Sequence, residues 1–472
     1  MNHTRNVLAV DLGAESGRLV LCRWNGSVGT LEEIHRFPNG PSQVGSHLVW
    51  DVERLWSEIK KGLVKAASKT AGHVESVAVD GWGVDYTLLD AGGNRIGNAY
   101  CYRDARNVPA MEKTFSKVSR ERLYEITGIQ LLSFNTVFQL MAHLAEFPEE
   151  WERAALWLTL PEYFHYRLAG VAAAEYTQAS TTQMLDVHTR SWSQELASAL
   201  GLSLAKFPPI VQAGTVLGKM RAELSQEVGL ANTQVIAPAC HDTGSAVAGI
   251  PYPHDDLAFI SSGTWSLVGT VLLEPVVRGG GQGKCFTNEG GVAGSIRFLQ
   301  NVIGLWLLQE CLREWNDQGL RLTAADLAAK CLESPPDGPF FHADEATYLA
   351  PGNMVERINA GLGEAGFAEE KRPPVIAAII FRSLARRYAE VVSQLVRVSG
   401  KTIKRICIVG GGVKNEALNR LTERVTGIEV VRGPSESTAA GNIAMQIAAL
   451  EKTVSLRQVQ AISAQLRFEP QS

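Results

Sequence analysis

The 472-residue chain has no long apolar run, no block of like charge and no tract of low complexity. Nothing in it approaches the roughly 20 consecutive apolar residues that cross a bilayer, so no membrane-spanning helix is expected. Near the N-terminus the apolar run Val7 to Val10 is interrupted by Asp11, and a secretory leader is not expected either. Seven cysteines (Cys22, Cys101, Cys240, Cys285, Cys311, Cys331 and Cys407) are odd in number and widely scattered. That excludes a disulfide framework and suits the reducing cytoplasm. His and Cys lack metal-ligand spacing, which argues against zinc. With 45 basic and 49 acidic residues the net charge is −4, giving no electrostatic ground for a nucleic-acid or anionic-membrane partner. Two phosphate fingerprints are missing as well. Gly279 to Cys285 looks like a P-loop, but Arg278 takes the place of its first glycine and Cys285 that of its Ser/Thr. No G-x-G-x-x-G stands where a dinucleotide site needs one.

What is present is an ordinary globular composition on a chain too long for one domain, so two or three domains are expected. Asn6 to Val10 reads as a strand, Asp11 to Gly17 as a turn, and Arg18 to Arg23 as a returning strand. A helix is expected after Asp51, a good N-cap, with Val52, Leu55, Ile59 and Leu63 on one face and Gly72 as its stop. Strand Val74 to Val79 ends at Asp80, and Val84 to Leu89 resumes beyond Gly81-Trp82-Gly83. Residues 106–230 read mostly as helix. Strand signals return at Gln234 to Ala237 and Leu257 to Ile260, and a helix is expected over Asn301 to Trp315. A longer helix runs from Pro373-Pro374 to Gly400, and strand Ile406 to Val409 leads through three glycines to a helix capped by Asn415. Alternating strands and helices of this kind imply an α/β fold of two halves with a cleft between them.

Five segments could carry chemistry, and several have a plainer explanation. In Asp11-Leu12-Gly13-Ala14-Glu15-Ser16-Gly17-Arg18, backbone N–H groups and a hydroxyl could approach a phosphate, with Asp11 near a Mg²⁺. The same residues also make an ordinary hairpin turn. Ser261-Ser262-Gly263-Thr264-Trp265-Ser266 is a looser echo of that hairpin. Gly410-Gly411-Gly412 could let a flat ligand or phosphate lie against backbone. The small residues Ser437 to Asn442 could underlie an adenine ring, although packing against a strand is the better reading. In Cys240-His241-Asp242-Thr243, a carboxylate after a strand could accept a proton from an alcohol. It could equally cap the helix that follows, and from this segment alone the cap is slightly favoured. A Cys-His-Asp triad is rejected, because three consecutive residues cannot easily aim at one another.

Taken together, the chain resembles the FGGY carbohydrate kinases of the sugar-kinase/actin superfamily, essentially end to end. The resemblance rests on Ala9 to Arg18, Trp82-Gly83-Val84-Asp85, Tyr102-Arg103-Asp104, Phe134-Asn135-Thr136, His241-Asp242-Thr243, Ser261 to Trp265, Asn288 to Gly291, Asn301 with Gly304 to Gln309, and Val409 to Gly412. The Trp-Gly-Val-Asp and His-Asp-Thr segments resemble the branch that phosphorylates L-rhamnulose. The resemblance implies two actin-like, ribonuclease H-like α/β domains flanking a catalytic cleft. Residues 1–245 would form the sugar and phosphate side and 246–472 the nucleotide side. It implies ATP with Mg²⁺ placed by Asp11, and ATP phosphates against Ala14, Glu15, Ser16, Gly17, Arg18 and Thr264. Gln309 and Gly411 would line the nucleotide, and Gly83, His241, Asp242, Thr243 and Asn301 the sugar. Asp242 would be the base, and the product L-rhamnulose 1-phosphate. Glu15, a negative charge within a phosphate hairpin, is expected to point to solvent. Kinases for L-fuculose or xylulose and a non-catalytic sugar or nucleotide sensor are the alternatives. A cytoplasmic monomer or homodimer is expected.

Overall fold

A computed structural model of the chain describes residues 4–277, 286–343 and 346–468; the Gly279 to Cys285 run lies outside them. The chain forms two compact units. One comprises Met1–Pro251, Leu272–Phe298 and Thr438–Ser472, the other Tyr252–Val271 and Leu299–Ser437.

The first unit is built on a seven-stranded sheet in the order Thr215–Lys219, Gln234–Ala237, Ser76–Gly81, Arg5–Leu12, Ser16–Trp24, Gly29–Pro38, Leu466–Phe468. Arg5–Leu12 is central because both of its faces are apolar, as a strand covered on both sides must be. Successive side chains of a strand point to opposite faces. Leu8, Val10 and Leu12 accordingly join the core beneath helix Val52–Thr70, with its Leu55, Ile59 and Leu63. Val7 and Ala9 join the opposite core, against Ala440, Ile443, Ala444 and Ile447 of helix Ser437–Leu450. The small-residue run that opens this second helix is therefore packing, as the sequence suggested. Gly441 is required there, since any Cβ would collide with the backbone carbonyl of Ser245. The expected cap is also present, with the Asp51 carboxylate accepting the Arg54 N–H at 2.9 Å.

In the second unit the strands run Ile296–Ile303, whose first three residues still belong to the first unit, then Trp265–Leu272, Leu257–Ser262, Arg405–Val409, Glu429–Arg432. Leu257–Ser262 pairs antiparallel with Trp265–Leu272 and parallel with Arg405–Val409. Helix Pro373–Ser399 ends at Gly400 in the left-handed region, and Asn415 caps helix Glu416–Thr426 by accepting the Leu418 N–H. One expectation fails. Asn301 lies on strand Ile296–Ile303, and the helix begins only at Trp306. The run Ile-Arg-Phe-Leu-Gln-Asn-Val-Ile is buried on both faces, so its apolar spacing does not separate strand from helix, and Gly304 divides the two elements.

Candidate active site

In the first unit, three parallel strands deliver acidic residues to one edge of the sheet, where ligand sites of α/β folds form. Asp11 stands opposite Asp80 in the parallel register and opposite Arg18 across the N-terminal hairpin. A bridge pairs Gly81 with His241, which brings Asp242 to the same edge. Asp11 is buried, and Arg18 donates to its Oδ2 from Nε at 2.9 Å and from Nη2 at 2.6 Å. Asp80 is fully buried. Asn442 donates to its Oδ2 at 2.5 Å, while Oδ1 has no hydrogen-bond partner among the described residues. Burial, then the charges of Asp11 and Asp242, push the Asp80 carboxyl well above its ordinary pKa, against the Asn442 hydrogen bond.

Asp242 opens helix Asp242–Ala248 but is not its N-cap; His241 holds that position. Among the described residues the Asp242 Oδ1 accepts from Thr243, at 2.6 Å from its N and 3.2 Å from its Oγ1, with His241 Nε2 3.4 Å away. With 31 % of its side chain exposed, the carboxylate stays open to a ligand. Partial burial raises its pKa. The adjacent His241 ring opposes that rise, and Asp11 adds to it. His241 is anchored through its backbone N–H to Thr177 Oγ1 at 3.2 Å.

The Trp82-Gly83-Val84-Asp85 loop approaches the same ring. A Cβ on Gly83 would stand 3.2 Å from His241 Nε2 and 3.1 Å from Thr181 Oγ1, so any side chain here would make these neighbours give by a few tenths of an ångström. Val84 adopts φ 71°, a strained conformation for a β-branched residue. Its carbonyl is held by Thr136 Oγ1 at 2.6 Å. Asp85 locks the loop from below, accepting from Trp50 and Trp82 indoles at 2.5 and 3.0 Å and from Gln139 at 2.9 Å. Burial moves its carboxyl up to about 6 against those hydrogen bonds.

The N-terminal turn is closed by Gly13 N to Ser16 O at 2.9 Å and braced by Asn39, whose side chain donates to Gly13 O and whose backbone N–H donates to Glu15 O. Ala14 and Ser16 are half-buried, and Glu15 is exposed, pointing where the sequence analysis put it. Gly17 is glycine for another reason: a Cβ would strike the Phe37 ring.

The second unit gathers its candidates by close backbone approach. The Gly263-Thr264 turn receives the Leu305 N–H at 2.9 Å on Gly263 O and the Trp306 N–H at 3.2 Å on Thr264 O, at the start of helix Trp306–Asp317. Cβ atoms on Gly304 or Gly412 would overlap this turn or Ser262, and Gly410 adopts φ 79° against Ser262. Thr264 is half-buried, Gln309 and Gly411 are exposed, and Asn301 is half-buried. Asn301 is the one of these the sequence assigned to the wrong element.

Three residues of the first unit escaped sequence reasoning. Asp80 was read only as a strand end, Glu289 only within a family segment, and Arg297 not at all. A charged residue in the near-continuous apolar run Ile296 to Leu299 was the available signal.

The N-terminal domain of the FGGY family of carbohydrate kinases matches residues 6–249 and the C-terminal domain of that family residues 258–450. A rhamnulokinase of Oceanobacillus iheyensis is 38 % identical over 455 residues, 96 % of this chain and 95 % of that protein. One of Bacteroides thetaiotaomicron is 38 % identical over 94 % of this chain and 90 % of that protein. Among solved structures, a gluconate kinase from Lactobacillus acidophilus superposes with a TM-score of 0.80 at 16 % identity, covering 98 % of this chain and 92 % of that one. Plasmodium falciparum glycerol kinase with ADP gives 0.79 at 13 %, with the same coverage. The acidic strand ends and the glycine-lined turns thus fall within matched domains, and the chain belongs to the FGGY family of carbohydrate kinases.

Proposed function

We propose that the protein transfers the γ-phosphoryl group of ATP to the primary alcohol of L-rhamnulose, giving L-rhamnulose 1-phosphate. The observation that carries this reading is the Asp242 carboxylate, open at a parallel-strand edge and engaged by nothing stronger than its own neighbour Thr243. A raised pKa makes it a better proton acceptor than an ordinary aspartate, provided the pH lies above that pKa. The substrate assignment draws on rhamnulokinase relatives that cover nearly the whole chain.

In this reading Asp242 takes the proton of the attacking hydroxyl, and Gly83, His241, Thr243 and Asn301 orient the sugar. Ala14 to Arg18 and Thr264 hold ATP phosphates, while Gln309 and Gly411 line the nucleotide. Residues 1–245 then serve sugar and phosphate and residues 246–472 the nucleotide. Asp11 is the proposed Mg²⁺ residue. The donor set fits a hard cation, because at one strand edge the charges of Asp11 and Asp242 raise the proton affinity of Asp80, and that of Asp11 raises the proton affinity of Asp242. No group of three or more His, Cys, Asp or Glu forms a metal cage among the described residues. That suits Mg²⁺, which one or two carboxylates hold together with substrate phosphates. When bound, Mg²⁺ would neutralise charge on the phosphates.

No helix among the described residues is long and apolar enough to cross a membrane. With six buried, unpaired cysteines among those residues, a cytoplasmic enzyme is the proposed setting. A coupled ADP assay with Mg²⁺ and a panel of ketoses tests the reading. ADP release dependent on L-rhamnulose is expected. Release without any sugar, or a clear preference for L-fuculose or xylulose, overturns it.

A further inference from the structure

Behind His241, on the side away from Asp242, lies a buried pair that the proposed chemistry does not use. Arg297 is 1 % exposed and Glu289 6 %, both within the first unit. The Arg297 guanidinium is fixed at two points: Nε donates to Gly290 O at 2.8 Å, and Nη2 lies 3.0 Å from Glu289 Oε2. The same Nη2 stands 2.9 Å from His241 Nδ1, and Glu289 Oε2 is 3.4 Å from that ring nitrogen.

These distances favour one arrangement of protons over the others. Guanidinium nitrogens only donate, so Nη2 at 2.9 Å needs a lone pair on Nδ1. One of its hydrogens serves Nδ1, while Glu289 Oε2, 3.0 Å from Nη2, is its ion-pair partner without a hydrogen bond of its own among the described residues. A hydrogen on Nδ1, aimed at Glu289 across the longer 3.4 Å gap, would confront the hydrogen on Nη2. The ring proton is therefore left on Nε2, which faces Asp242 Oδ1 at 3.4 Å and the Gly83 backbone. We infer that Arg297, oriented by Glu289 and Gly290 O, is a positioning residue that holds His241 in its Nε2–H tautomer. His241 thereby becomes a fixed hydrogen-bond donor toward Asp242 and the sugar. The step toward the sugar rests on the proposed kinase reaction; the tautomer does not. The arrangement divides the labour of adjacent residues, since His241 can only donate on that face and Asp242 alone can accept a proton there.

The tautomer can be read without substrate. Long-range ¹H–¹⁵N correlation on ¹⁵N-labelled enzyme, with the His241 signals assigned by their loss in His241→Gln, is expected to show a bare Nδ1 and a protonated Nε2. An Nδ1–H tautomer in the wild-type protein overturns the proposal. Arg297→Met should move the proton to Nδ1, facing Glu289, and lower kcat/KM for the ketose roughly 10-fold or more, the scale of one hydrogen bond to a charged group. The KM for ATP should hold. Arg297→Lys keeps a donor and should retain both the tautomer and most of the activity. If Arg297→Met is folded and still shows Nε2–H, Arg297 does not set the tautomer. If Arg297→Met does not fold, the wild-type and Arg297→Lys spectra still decide the matter. Should no ketose be phosphorylated while the wild-type spectrum is as expected, the substrate reading fails and the tautomer stands.

Discussion

At the strand ends of the first unit the candidate residues are ionisable and crowded; at those of the second they are glycine, serine and threonine. Asp11 is held by Arg18 at 2.6 Å near the buried Asp80, and Asp242, His241, Glu289 and Arg297 form a chain of contacts of 2.9–3.4 Å. Gly304, Gly410 and Gly412 instead act by having no side chain, letting three chain segments converge around Ser262 and Gly263. One surface is suited to moving a proton, which needs tuned charges. The other is suited to presenting backbone, which needs close approach and no charge. In the first unit, then, removing a charge should be the damaging change; in the second, adding a carbon.

The largest effect separates the two most sharply. Asp242→Asn is expected to fold and bind ATP but lose turnover by roughly 10²-fold or more, measured as kcat in the coupled assay. A near-normal kcat would break the contrast at its centre. Next comes Gly412→Ala, whose Cβ would overlap the Ser262 side chain; a stability loss of about 1–3 kcal/mol is expected from denaturant unfolding. Gly411→Ala, with nothing within 4 Å of the new Cβ, should stay within about 0.5 kcal/mol of wild type. Equal losses in the two variants would mean that glycine spacing at this turn is not set by approach.

A smaller effect tests the ionisable character of the first unit away from the reaction. Glu162 is buried, accepting from Glu175 N at 2.8 Å and Thr159 N at 3.3 Å, and burial moves its carboxyl up to about 8. Between the ordinary carboxylate value and about pH 8 the folded protein keeps a proton that the unfolded chain has released. Stability therefore falls as pH rises through that window. Glu162→Gln loses one of these contacts, because they use different carboxylate oxygens, and should show a shallower decline of Tm with pH. An unchanged slope would place the titration elsewhere. Smallest is Glu15→Gln: an exposed charge should alter the KM for ATP by less than about twofold. A larger change would bring Glu15 into contact with the nucleotide.

Much of this was legible because its signals are local. The hairpin at 11–18, the three glycines before Asn415 and the His-Asp-Thr segment after a strand are each readable within ten residues, and each takes the expected secondary structure. Cooperation between remote segments was not legible. Asp80 matters because Asp11 is its register partner and Asn442 its donor, 362 residues further along. Arg297 matters because its strand passes behind His241. Asn301 was misassigned because a strand buried on both faces loses the alternation that identifies strands. Gly17 and Gly441, which resemble ligand-facing glycines in sequence, are set by the Phe37 ring and the Ser245 carbonyl.

The contact of Gly441 with Ser245 also bears on how the protein is made. The helix that starts at Asp242 rests against one that leaves the ribosome some two hundred residues later, and Leu466–Phe468 closes the same sheet later still. Synthesis of the first 250 residues therefore leaves an apolar sheet face bare, with the helix that bears the proposed base lacking its support. The nascent enzyme must wait, exposed to chaperones and to aggregation, until helix Ser437–Leu450 and strand Leu466–Phe468 emerge.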